Sequence, residues 1–74
     1  MTRFIYRVQN LLADRGEVLN DLYRGAGVHR KTIYRGPKRK QTIAAVAYYL
    51  GMSAEDLVAG TDAEEVWERD TSEY

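Results

Sequence analysis

Apolar residues recur along this chain at helical rather than strand spacing. Phe4, Ile5, Val8, Leu11 and Leu12 fall at i, i+1, i+4, i+7 and i+8, which puts them on one face of a helix. That spacing predicts a helix over residues 2–15, with Thr2 as its N-cap and Gly16 as a left-handed end. Leu19, Leu22, Tyr23 and Ala26 make a second, shorter apolar face. Gly25 weakens its end and Gly27 is its natural stop. A third helix is expected from about His29 to Arg35, closed by Gly36-Pro37. A fourth runs from about Lys40 to Leu50, with Ile43, Val46, Ala47 and Leu50 on one stripe and Gly51 behind them. Ser53 is a good N-cap for a fifth, whose apolar face is Leu57 and Val58 and whose first acids suit the helix dipole. Thr61-Asp62-Ala63-Glu64 has capping-box spacing and opens a sixth turn or two carrying Val66 and Trp67. Asp70 to Tyr74 read as a frayed tail. No segment alternates polar and apolar for long, and no Asn-Gly or Asp-Gly turn occurs. The expectation is an all-α, compact bundle of five short helices with room for a sixth.

The totals narrow this picture. With 74 residues the chain makes one domain at most. It has no cysteine, so neither a disulfide nor a thiolate metal site supports the fold. No run approaches the ~20 apolar residues needed to span a bilayer. The charged N-terminus lacks the apolar stretch of a signal peptide. These features lead to the expectation of a soluble, cytoplasmic domain. A single histidine, with no cysteine or nearby acid, makes no metal site. No nucleophile stands at readable spacing from a base, and no glycine loop cradles a phosphate. Neither an enzyme nor a cofactor is expected.

Net charge is formally zero, but it is divided. Residues 1–40 hold ten Lys or Arg against three acids, a net of +7. Residues 41–74 hold one Arg against eight acids, a net of −7. The positive charge gathers in GAGVHRKTIYRGPKRK, residues 25–40, which contains six Lys or Arg and no acid. A basic binding surface and an acidic segment elsewhere are the reading of such asymmetry.

The same stretch has the spacing of a helix-turn-helix. Leu22 and Ile33 would meet across a sharp angle, Gly27 would take positive φ, and Val28 would fill the corner. With Ile33 inward, Lys31 and Arg35 lie nearly opposite it, flanked by Thr32 and Tyr34. Arg30, at the helix start, can reach sideways. Gly36-Pro37-Lys38-Arg39-Lys40 continues the positive surface, and amides near Gln41 and Thr42 offer a further phosphate ligand. His29 has three readings: a helix cap, a phosphate contact, or neither.

Leu22, then Ala26-Gly27-Val28, His29-Arg30 and Thr32-Ile33, followed by the run Val46 to Ser53 and Asp56-Leu57, resemble the ordered pattern of one family. It is the Cro/repressor (Xre-type, lambda-repressor-like) family of helix-turn-helix DNA-binding domains. The resemblance covers roughly residues 3–60. Leu19 stands where the family usually has Gln, and Tyr23 where it usually has Ala. The resemblance implies a lambda-repressor-like helix-turn-helix domain over residues 1–60, with 61–74 as an acidic C-terminal helix or tail. It implies sequence-specific binding of double-stranded DNA, transcription regulation of a repressor-like kind, and a homodimer. Carried over, the base-reading positions are Arg30, Lys31, Tyr34 and Arg35. The phosphate-contacting positions are Asn20, His29, Thr32, Lys38, Arg39, Lys40 and Thr42. The alternative is a protein-interaction module, such as an antitoxin using its acidic end, with Tyr48, Tyr49 and Trp67 as partner-facing aromatics.

Overall fold

Each glycine that was expected to stop a helix does so. In the computed structural model, which describes residues 1–72, α1 spans Phe4–Asp14 and α2 spans Leu19–Ala26. After them come α3 (Arg30–Arg35), α4 (Lys40–Leu50), α5 (Ala54–Val58) and α6 (Glu64–Ser72). Gly16, Gly27 and Gly51 carry φ of 72°, 68° and 71° behind α1, α2 and α4, a region where a side chain is strained. The fold is all-α, and the sixth helix forms. Asp70, Thr71 and Ser72 extend α6 instead of fraying, while Glu73 and Tyr74, the end of the expected tail, lie outside the described residues.

One face of each helix supplies the core. Phe4, Ile5, Val8 and Leu12 of α1 are buried with Leu22 of α2, Ile33 of α3 and Ile43, Val46 and Ala47 of α4. Leu57, Val58 and Ala63 complete it from the acidic half. Leu22 and Ile33 are both fully buried, and half-buried Val28 packs on the same cluster. Truncating either large side chain to Ala would cost about 2–5 kcal/mol. That is a large share of the ~4–11 kcal/mol that stabilises a chain of this length.

The start of α1 differs from expectation. Thr2 does not cap it. Thr2 instead pairs in parallel with Thr61, its N–H donating to Gly60 O at 3.0 Å and its carbonyl accepting from Asp62 N at 3.0 Å. The cap comes from the other end of the chain, where Asp62 Oδ1 accepts from Phe4 N at 3.0 Å. A carboxylate there also faces the positive end of the helix. Thr61 is buried: its hydroxyl donates to Val58 O at 2.7 Å and accepts from Ala63 N at 3.1 Å. These contacts bind the beginning of α6 to α1, while α6 packs on α4 and α5. Ser53 caps α5 as expected, accepting from Asp56 N at 3.2 Å.

α2 and α4 pack closely because Gly25 has no side chain. The Tyr49 ring fills the space beside it, so a Cβ at Gly25 would stand 2.1 Å from Tyr49 Cε1. The Tyr49 hydroxyl donates to Glu17, and the Arg15 guanidinium lies 5.2 Å from the ring centroid. Arg15 in turn pairs with Glu17 at 3.0 Å and donates to Tyr49 O at 3.2 Å. Holding its proton against the Glu17 carboxylate raises the Tyr49 pKa above the ordinary phenol value. Tyr49 is therefore engaged within its own chain.

Candidate nucleic-acid interface

α3 is a six-residue helix, short of two turns, whose inward residue is Ile33. His29 is its N-cap, with Nδ1 accepting from Lys31 N at 3.2 Å. Nδ1 as acceptor makes Nε2 the protonated nitrogen of the neutral ring. Of the three readings of His29, the cap is the one realised, and a donor remains on the other nitrogen. At the far end, Gly36 turns the chain at φ 98° and Pro37 is buried. The chain is thereby redirected at once into Lys38 and Arg39, both exposed.

Two clefts border α3. One, of about 430 Å³, is lined by Thr32, Gly36, Lys38, Arg39 and Thr42, together with Lys31 and Arg35. The other, of about 610 Å³, lies against α1 and α2, with Ile5, Gln9, Leu19 and Tyr23 on one side and Arg30, Lys31, Tyr34 and Arg35 on the other. Lys31 and Arg35 line both, so they form the crest between them. Arg30 and Tyr34 belong to the α1 side, Thr32 to the α4 side. All four of Arg30, Lys31, Tyr34 and Arg35 are exposed, Tyr34 to 62%.

Among the described residues, no acid forms an ion pair with Arg30, Lys31, Arg35, Lys38 or Arg39. The ion pairs among the described residues are Arg15–Glu17 and Arg69–Glu65, neither in the basic stretch. Lys31, Arg35, Lys38 and Arg39 are all exposed to solvent. Other positive groups of the first half are spent on the fold. Arg7 donates to Leu57 O and Asp56 O in the last turn of α5, at 3.4 and 3.2 Å. Arg15 is in the Glu17–Tyr49 cluster.

Three expected contact positions lie apart from the two clefts. Asn20, near the start of α2, lines a third depression with Gln9, Leu12 and Glu17. It reaches the α1-side cleft through its shared neighbours Gln9 and Leu19. His29 serves the N-cap. Lys40 is half-buried, its ammonium 4.5 Å from the centre of the Trp67 ring, a favourable cation–π arrangement. Trp67 packs on the core from α6, so it and Tyr49 are occupied within the chain, while Tyr48 is 90% exposed.

One contributor was not legible beforehand. Arg3, just ahead of α1, donates from Nη2 to Tyr34 O at 2.9 Å. Its guanidinium carbon lies 5.4 Å from the Tyr34 ring centre and 5.7 Å from that of Tyr6. The only sequence signal was its membership in the basic half; the contact spans 31 positions and follows no helical period.

Among the described residues no group of three or more His, Cys, Asp and Glu is placed to hold a metal ion, and no helix is long and apolar enough to cross a membrane. What the surface offers is a narrow convex helix bearing cations and a phenol, between two concave flanks. Compared with known protein families, curated proteins and solved structures, the chain matches none.

Proposed function

We propose that this chain binds double-stranded DNA in a sequence-specific manner, as a repressor-like transcription regulator of the Cro/repressor (Xre-type, lambda-repressor-like) helix-turn-helix kind. The observation that carries this reading is the crest formed by Lys31 and Arg35, unpaired by any described acid and flanked by concave surfaces on both sides. A helix about 10–12 Å across with its side chains matches the ~12 Å width of the major groove. In this reading α3 enters that groove, and Arg30, Lys31, Tyr34 and Arg35 meet base edges. Arg and Lys pair with guanine O6 and N7, and aromatic carbons meet the thymine methyl. Thr32, Lys38, Arg39 and Thr42 meet one phosphate strand and hold the register. Asn20 and the Nε2–H of His29 serve the other end. Counterion release by these cations supplies much of the affinity and makes it steeply salt-dependent. Two copies on half-sites about 34 Å apart are the arrangement this family uses.

Selection of bound duplexes from a random library, followed by gel shifts across a salt series, tests the reading. It expects one enriched motif and affinity that falls as salt rises. No enrichment at low salt, together with capture of one stoichiometric protein partner, would decide for the interaction-module alternative.

A further inference from the structure

We propose that Arg3 is a second phosphate anchor, standing on the α1 flank of α3 opposite the Lys38–Arg39 loop. This rests on the DNA reading above and adds to it a contact that the helix-turn-helix alone does not supply.

A helix seated in the major groove has a phosphate strand on each side. On the α4 side the chain provides Lys38, Arg39 and Thr42. On the α1 side, Ile5, Gln9, Leu19 and Tyr23 carry no charge. The cations of that cleft, Arg30, Lys31 and Arg35, all stand on α3 itself, and Arg3 brings one from outside α3 to the Tyr34 end. Arg3 is exposed and, among the described residues, touches no carboxylate. One of its five N–H donors is used, toward Tyr34 O. The others remain for an oxyanion, and the fork of a guanidinium suits phosphate.

Its placement is also unusual for a surface arginine. Two rings, Tyr6 and Tyr34, hold the guanidinium between 5 and 6 Å from their centres, and the bond to Tyr34 O at 2.9 Å fixes its reach. A long side chain normally loses rotamer freedom when it grips a ligand. Here that ordering is already done in the free protein. Arg3 is tied to the very residue, Tyr34, that the proposal places against bases, so the phosphate contact and the base contact share one register.

The test is fluorescence anisotropy of labelled duplexes over a salt series, using the selected site and a scrambled one. Arg3→Gln should weaken both duplexes by the same factor and reduce the slope of log K against log salt by about 0.9. Arg3→Lys should keep the slope of the parent chain. Tyr6→Leu should keep the slope too while lowering affinity, because the charge stays but its support is halved. Circular dichroism melts check that each variant is folded. If Arg3→Gln does not fold, the comparison of Arg3→Lys and Tyr6→Leu with a chain bearing Lys38→Ala, whose slope falls, carries the decision. An unchanged slope in Arg3→Gln makes Arg3 a tie between α1 and α3 only. Altered discrimination between the duplexes makes it a base reader. Either result overturns the proposal while leaving the DNA reading in place. A parent chain that binds neither duplex at low salt overturns both.

Discussion

Gly25→Ala should change sign in its effect on stability according to what stands at position 49. Gly25 lies inside α2 and is not among the glycines with positive φ, so its backbone accepts an alanine. Taken alone, Ala in place of Gly within a helix gains about 1 kcal/mol. In this fold the new Cβ would sit 2.1 Å from Tyr49 Cε1 and 2.7 Å from Cδ1. The ring cannot move aside freely, because Glu17 holds its hydroxyl and Arg15 covers it. Forcing a methyl into such a contact typically costs about 1–3 kcal/mol. The net in the parent chain is a loss of up to about 2 kcal/mol. At roughly 4–8 °C per kcal/mol for a domain this small, the melting temperature falls by as much as ~16 °C. In a Tyr49→Ala background both clashing atoms are gone, and the same substitution should stabilise by about 1 kcal/mol. Urea unfolding of the four chains gives the coupling directly, and about 1–3 kcal/mol is expected. If Gly25→Ala shifts both backgrounds equally, within about 0.5 kcal/mol, Tyr49 does not pack on Gly25 and the reasoning about the α2–α4 contact is wrong.

Further outcomes follow from the same geometry. Lys31→Ala or Arg35→Ala should cost about 1–3 kcal/mol of specific binding and relax the sequence preference, whereas Lys38→Ala or Arg39→Ala should weaken all duplexes equally and lower the salt slope by about 1; gel shifts in which both pairs behave alike refute the division. Lys40→Met should reduce the salt slope less than Lys38→Ala does, because Lys40 is partly withdrawn against Trp67; an equal reduction refutes it. Asp62→Ala should lower stability by about 1 kcal/mol, the usual loss for a helix cap, read by thermal melting, since it removes the acceptor for Phe4 N. Tyr49 has a raised pKa through its bond to Glu17. Its contribution to stability is therefore complete below the unfolded phenol value and is lost as pH rises through the higher folded value. Urea midpoints measured from neutral to strongly alkaline pH should fall more for the parent chain than for Tyr49→Phe, and parallel curves would count against the hydrogen bond.

Local physics made the helices legible. A glycine in the left-handed region, a serine accepting from the third amide, and apolar residues every three or four positions are properties of neighbours in the chain, and they decided where α1 to α5 run. The crest of α3 was legible for the same reason: once Ile33 points inward, helical geometry alone puts Lys31 and Arg35 outward. What was not legible depends on partners far along the chain. Thr2 read as a cap because it precedes an apolar run; only the approach of residues 60–62 turns it into a parallel bridge and leaves the capping to Asp62. Gly25 read as a weak helix end, but the reason for its size is a ring 24 positions away. Asp70 to Tyr74 read as a frayed tail because they end the chain, yet α6 is anchored at its start by Thr61, Ala63 and Trp67 and runs on to Ser72.

The division of charge takes on a different meaning once the fold is known. Ten cations in the first half look like one uniform patch, but Arg7, Arg15 and Lys40 are engaged in holding α5, Tyr49 and Trp67. Those are the cations that face the acidic half or its packing partners. Of the other seven, Arg24 stands on α2, and Arg3, Arg30, Lys31, Arg35, Lys38 and Arg39 gather on and beside α3. Here no described ion pair joins an acid to α3, and the acids that are engaged cap helices or pair locally, as Asp21 does with Val18 N at 3.0 Å and Glu65 with Arg69 at 2.9 Å. Like charges crowded on so short a helix and its following loop repel one another, a cost that a polyanion would relieve and that nothing in the described chain does. That unrelieved repulsion is the physical reason to look for the ligand outside the chain.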